Sequence, residues 1–321
     1  MLDEQSAPKA QSSSANAPPR ANQTATSTTN NAPIPRKPYP IVLAHGLGGF
    51  DRVGPVNYFY GVADVLRADG YEVFTPAVDP FNSSEVRGAQ LLKHVHDVLA
   101  QTGATKVNLI GHSQGGFDSR YVASVAPENI ASVVTISTPH QGTAISDIAL
   151  GTVDGPAREA MTALLNMFGT ALTGRSKEDS NAAIAGLSGA ASASFTRRYP
   201  DSPFVDYYSI AGRSNMQSGT FECATSADEP FISDWNSTVD SVDPLLSPTA
   251  AILNSSRASD PANDGLVAVS SARWGTFLGC IPADHLDEIC QIANDAPGGS
   301  NGFNCHQFYR RLAAWLVLRG Y

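Results

Sequence analysis

From residue 41 onward the apolar positions fall into two kinds of run. Ile41-Val42-Leu43-Ala44 is continuously apolar and breaks at Gly46, Gly48 and Gly49, the pattern of a strand buried on both faces that ends in a turning loop. Tyr71 to Val78 predicts a second strand. Between Ser83 and Thr102, Leu91, Leu92, Val95, Val98 and Leu99 recur at helical spacing and Gly103 stands at the expected stop, so this segment predicts an amphipathic helix. Lys106 to Ile110 then predicts a strand, Gly111 to Gly116 a tight turn, Phe117 to Val125 a helix and Ala131 to Ser137 another buried strand. A last helix is expected over His306 to Arg319, closing at Gly320 and carrying Phe308, Leu312 and Trp315 along one face. Strands spaced by helices imply an α/β protein: a mostly parallel sheet with helices on both faces and function at the carboxyl ends of its strands.

Two stretches depart from that alternation. Met1 to Lys37 holds no aromatic residue and is dominated by Ser, Ala, Asn, Thr, Pro and Gln, too little apolar surface to offset the entropy of ordering it. It reads as a leader, 1–37, ahead of one domain, 38–321. Within that domain, residues 143–200 lose the strand–helix rhythm, and Met161, Leu164, Leu165, Phe168 and Leu172 follow a three-and-four spacing. That spacing makes one apolar helical face, which needs cover in water.

Charge and cysteine usage narrow the class. With 21 Lys+Arg against 30 Asp+Glu the net charge is −9, which argues against a nucleic-acid partner. No apolar run reaches the ~18 residues of a transmembrane helix. Cys223, Cys280, Cys290 and Cys305 show no metal-binding spacing, and an even, clustered set suggests disulfides, with four buried free thiols as the plain alternative. Of three possible pairings the expected one is Cys223 with Cys280 and Cys290 with Cys305. The latter closes a loop worth about 3 kcal/mol in a chain-entropy model. Met1-Leu2-Asp3-Glu4 has neither the basic nor the apolar region of an export signal, yet the low charge, polar leader and cysteines favour a secreted protein.

The most specific chemical signal is Gly111-His112-Ser113-Gln114-Gly115. It matches G-x-S-x-G and sits between an apolar strand and a helical stretch, the context in which that turn lifts a serine hydroxyl above a sheet. An alcohol is a weak nucleophile near neutral pH, so Ser113 needs an imidazole, and the imidazole needs a carboxylate to fix its tautomer. Both follow the serine in this kind of fold. Of His140, His285 and His306, the loop residue His285 is the preferred base. Asp264, in the turn Asn263-Asp264-Gly265 before an apolar run, is preferred as the acid over Asp240, Asp243 and Asp260. An acyl tetrahedral intermediate needs two aimed N–H donors, assigned to the backbone of Gln114 and of Leu47 in the glycine loop after the first strand. His45 and His112 are read as hydrogen-bonding residues that hold those two loops, and His94 and His96 as solvated helix positions.

These residues resemble the secreted bacterial triacylglycerol lipases of the Burkholderia and Pseudomonas type, in the α/β-hydrolase superfamily. The likeness runs from about Pro38 to the C-terminus through His45-Gly46-Leu47, Gly103 to Leu109, Gly111 to Gly116, Ser119 to Ala123, Thr138-Pro139-His140, Asn263-Asp264-Gly265 and His285 to Ile289. The resemblance implies the α/β-hydrolase fold with a helical lid over 143–200, Ser113, Asp264 and His285 as the triad, and Leu47 with Gln114 as oxyanion donors. It also implies a structural Ca²⁺ held at Asp243, Asp287, Gln291 and Asp295, hard oxygen ligands that suit the ion. A lipid or ester substrate at an interface and a dedicated lipase foldase are the implied partners. The cysteine positions and the polar leader have no counterpart in that family. A polyester depolymerase or general esterase would use the same triad, and a silent binding scaffold the same fold without the chemistry.

Overall fold

The computed structural model describes residues 37–49, 52–53, 56–146, 159, 183–214, 223, 230–235, 240–256, 262–291 and 301–321. Pro38–Tyr321 forms one unit, separate from Met1–Lys37. The leader up to residue 36, the apolar face from Met161 to Leu172, Asp260 and Asp295 lie outside the described residues.

Eight strands and eight helices are described in chain order. They are β1 Ile41–Ala44, β2 Arg52–Val53, β3 Val56–Asn57, α1 Val62–Ala68, β4 Val73–Phe74, α2 Ser84–Thr102, β5 Val107–His112, α3 Gln114–Val125 and β6 Ile130–Ile136. Then come α4 Gly189–Arg198, β7 Asp206–Gly212, α5 Pro230–Ser233, α6 Ser247–Ser256, α7 Val269–Ala272, β8 Thr276–Ile281 and α8 Cys305–Leu318. Six strands pair in the order β4-β1-β5-β6-β7-β8, every pair parallel. The small β2–β3 ladder is antiparallel.

Strand period fixes the two-sided core. Ile41 and Leu43 of β1 pack with Val62 and Leu66 of α1 and with Phe308 and Leu312 of α8. Val42 and Ala44, on the opposite pleat, pack with Leu91, Val95 and Val98 of α2 and Val122 of α3. Helices therefore cover both faces, as the near-continuous apolar strands require.

Element ends depart from the sequence expectation in ways that have physical causes. The strand expected over Tyr71 to Val78 keeps only Val73 and Phe74 in the sheet: it lies at the edge, and Pro76 can donate no ladder hydrogen bond. Beyond it the chain turns to the site, where Val78 N–H donates to His45 Nε2 at 3.1 Å. β5 runs on to His112, and α3 starts at Gln114 rather than Phe117, so the tight turn is reduced to Ser113. α8 starts at Cys305, one residue early, because the Asn304 side chain accepts the Gln307 N–H at 2.8 Å. Gly103 caps α2 in the left-handed conformation at φ 69°, as its position predicts.

Candidate active site

Ser113 stands between β5 and α3 at φ 55° and ψ −128°, a conformation L-residues avoid unless their surroundings enforce it. The enforcement is visible. Ser113 N–H donates to Ile136 O at 2.9 Å, and Ser113 O accepts the Thr138 hydroxyl at 2.8 Å. A Cβ on Gly111 would lie 2.5 Å from Gly115 O, so strand and helix can close this tightly only without side chains there. The loop after β1 presses on the same point: a Cβ on Gly46 would lie 2.8 Å from Ser113 Cβ. Two N–H groups on the segments that meet at the serine have no backbone acceptor among the described residues, that of Gln114 in the first turn of α3 and that of Leu47, the residue after Gly46 in the β1 loop.

The loops following α6 and β8 bring an acid and a base together. Asp264 Oδ2 lies 2.7 Å from His285 Nδ1, and His285 N–H donates to Asp264 O at 2.9 Å. The other carboxylate oxygen, Oδ1, accepts Leu266 N–H at 2.8 Å and Val267 N–H at 2.6 Å, which holds Oδ2 toward the ring. An acceptor at Nδ1 selects the tautomer that leaves Nε2 free to accept a proton. The His285 ring lies 4.4 Å from the ring of His112, the residue before the serine. Ser113 Oγ makes no hydrogen bond among the described residues; in enzymes without substrate such bonds are often long and tighten when substrate binds.

Behind the pair lies a buried network. His112 Nδ1 lies 2.8 Å from Tyr58 Oη and its Nε2 2.9 Å from Glu288 Oε2, while the Ser137 hydroxyl donates to Glu288 Oε1 at 2.5 Å. Burial, then the positive charge His285 can carry, hold His112 well below the usual imidazole range. Burial, then the neighbouring Asp264, push Glu288 well above the usual carboxylate range. His112 thus does more than hold its own loop. Glu288 went unassigned in the sequence, although its position three residues after His285 was a usable signal.

The competing residues have other partners. His140 Nε2 pairs with the Thr135 hydroxyl at 3.0 Å and its ring stacks on Trp274, while His306 Nε2 pairs with Tyr60 O at 2.8 Å. His45 holds its loop as expected, and burial, aided by Arg87, lowers it to about 3. His94 is not wholly solvated, since its Nε2 contacts Ala77 O at 3.1 Å.

Asp287 joins Asp240 and Asp284 in a buried group whose carboxylate oxygens lie within 4.8 Å of one another. Three buried carboxylates need protons or a cation, and an all-oxygen set suits a hard one. Burial pushes Asp284 up to about 7 against three backbone N–H groups that pull it down, with Asp240 adding to the rise. Of the described aspartates expected as ligands, Asp287 lies within this group and Asp243 does not. Asp243 borders it, giving its N–H to Asp284 Oδ2 at 2.8 Å while its own Oδ1 accepts Leu245 N–H at 2.7 Å. The Gln291 amide donates to Asn57 O and Tyr58 O. Cys290 is bridged to Cys305 and Cys223 to Cys280, the first tying the loop that carries His285 to the start of α8.

A serine on a strained strand-to-helix turn of a parallel sheet, with an Asp–His pair from later loops whose imidazole lies 4.4 Å from the ring of the residue before that serine, fits an α/β hydrolase of the serine type. The family model for the alpha/beta hydrolase fold matches residues 39–197. A triacylglycerol lipase of Pseudomonas fragi is 36% identical over 270 residues, covering 79% of this chain and 89% of the relative. One of Burkholderia plantarii is 33% identical over 290 residues, covering 79% of each. Among solved structures, EstA from Clostridium botulinum superposes with a TM-score of 0.60 at 20% identity over 89% of both chains, a likeness of fold. The chain belongs to the triacylglycerol lipase family. No helix among the described residues is long and apolar enough to cross a membrane.

Proposed function

We propose that this protein hydrolyses the ester bonds of triacylglycerols through an acyl-enzyme. The observation that carries the reading is the 2.7 Å contact of Asp264 with His285, set beside a strained Ser113. Ser113 Oγ attacks the ester carbonyl while His285 Nε2 takes its proton, and Asp264 stabilises the imidazolium. The Leu47 and Gln114 N–H groups receive the developing oxyanion. Collapse passes the proton from His285 to the leaving alcohol, and the same ring then activates water to release the fatty acid. Glu288, buried and held toward its neutral form, keeps His112 in place without adding a second negative charge beside Asp264.

Relatives named as triacylglycerol lipases support the substrate class. The apolar face at Met161, Leu164, Leu165, Phe168 and Leu172 supports a lid, and two disulfides fit secretion into an oxidising compartment. Asp240, Asp284 and Asp287 would hold Ca²⁺, and Asp243 borders them through its N–H on Asp284; the resemblance adds the Gln291 and Asp295 positions. The ion would supply positive charge that pins the loop carrying His285. A fluorophosphonate probe with peptide mapping tests the core of this reading: the adduct is expected on Ser113, absent in Ser113→Ala, and labelling elsewhere with activity retained in that variant would refute it. Hydrolysis of long-chain glyceride emulsions in preference to soluble short-chain esters is the expected substrate profile.

A further inference from the structure

The Leu47 N–H must be aimed by something other than its own side chain, and a buried cation on the neighbouring helix is placed to do it. Arg87 of α2 is 0% exposed. Its Nη2 donates to His45 O at 2.6 Å and reaches Gly46 O at 3.3 Å. Nη1 donates to Asp79 O at 2.7 Å. Nε donates to Asp118 Oδ2 at 2.8 Å, so the guanidinium is neutralised by α3, the helix whose first N–H is the other donor. Gly46 O also accepts His45 Nδ1–H at 3.0 Å and Gly49 N–H at 3.1 Å.

The Gly46 carbonyl and the Leu47 N–H belong to one peptide unit. In a planar trans peptide the C=O and N–H point to opposite sides, so three donors fixing the oxygen also fix the direction of the hydrogen. A cationic donor on the carbonyl further polarises the amide and makes its N–H a stronger donor, in a buried site where water competes little. Gly46 leaves no room for a side chain, since a Cβ there would lie 2.6 Å from Tyr58 Oη and 2.8 Å from Ser113 Cβ.

We propose that Arg87 is a positioning residue for catalysis: it holds the Gly46–Leu47 peptide so that the Leu47 N–H meets the oxyanion, and it strengthens that donor. The inference rests on the ester-hydrolase reading above. Arg87 touches no reacting atom, and its effect belongs to the transition state, where the carbonyl oxygen carries negative charge.

The distinguishing measurement compares an oxoester with its thionoester, in which sulfur replaces the carbonyl oxygen. Sulfur is a larger and weaker hydrogen-bond acceptor, so an aimed N–H favours the oxoester transition state. In Arg87→Gln, kcat for the oxoester, per titrated active site, is expected to fall about 10- to 100-fold, less than the loss of a whole oxyanion donor, with KM nearly unchanged. The thionoester should lose much less, so the oxo/thiono ratio collapses. Arg87→Lys keeps a cation beside Asp118 but cannot bridge both carbonyls; an intermediate ratio is expected, and this variant decides the matter if the glutamine variant does not fold. Both esters slowing by one common factor, or a wild-type ratio in the lysine variant, would overturn the proposal. A wild-type protein without oxoester preference, or without labelling at Ser113, would instead overturn the underlying reading.

Discussion

The two sides of the site are held by different kinds of interaction. On the oxyanion side, the β1 loop is fixed by backbone carbonyls gathered on one buried guanidinium and a neutral histidine. On the base side, the loop from Asp284 to Gln291 is fixed by carboxylates that crowd one another and by a disulfide at Cys290. A guanidinium keeps its charge at any pH the fold survives, whereas clustered carboxylates depend on protons or a cation and a disulfide on its redox surroundings. The contrast teaches that the donor side answers to acid alone, through His45 and through Asp118, which burial pushes up to about 6, while the side carrying the base also answers to cation and redox surroundings. Removing cation or disulfide should therefore strike His285 before it strikes Leu47.

The largest effect is expected from deleting the proposed base. His285→Ala is expected to lower kcat by about 10⁴-fold or more, leaving the residual catalysis that binding and oxyanion stabilisation supply; steady-state kinetics on a glyceride ester checks it. The double variant Cys290→Ala/Cys305→Ala opens a loop of sequence separation 15 and should cost about 3 kcal/mol of stability, read as a lower denaturant midpoint. It also sharpens the comparison. The oxo/thiono ratio of the variant should stay near wild type even as total activity falls, since the donor loop has lost nothing.

Much of this was legible in the chain. The parallel sheet followed from apolar runs buried on both pleats, and the serine turn from glycines placed where side chains would collide with backbone. The Asp264–His285 pair followed from chain order and turn chemistry. Less accessible were the groups defined only by the meeting of distant segments. Arg87 looks like one more polar helix position until the fold lays α2 against the β1 loop. Glu288 sits in a plain acidic stretch, and its partners His112 and Ser137 come from two other strand ends. Asp240 meets Asp284 and Asp287 from a separate loop, so periodicity could not pick it from the other aspartates of the chain. β4 is shorter than its strand-like run because Pro76 ends the ladder at a sheet edge, a local break that apolar spacing alone does not show.

Chelation tests the base side alone. If Asp240, Asp284 and Asp287 hold Ca²⁺, a strong chelator should lower stability by about 2.7 kcal/mol relative to a hundredfold excess of ion over Kd, with activity falling in parallel. Unchanged melting and activity would remove the ion from the account and leave the carboxylates to protons.

The smallest expected effect belongs to the oxyanion side and has the form of an acid limit. His45 has a folded pKa of about 3 against a reference of 6.5, because burial and Arg87 disfavour its charged form. Between those values the unfolded chain binds a proton that the native state does not, so stability falls as pH drops below 6.5. One such group contributes a slope of up to about 1.4 kcal/mol per pH unit, hence about 2 kcal/mol lost between pH 6.5 and 5. His112 and His140, also buried and held low, act in the same direction. In His45→Gln the amide can still donate to Gly46 O, so the native loop is retained while one titrating group is gone. Denaturant midpoints at pH 5, 6 and 7 should then show a slope shallower by about one proton than wild type. An unchanged slope would mean that His45 is protonated in the folded protein, and that the oxyanion side is no less dependent on the medium than the base side.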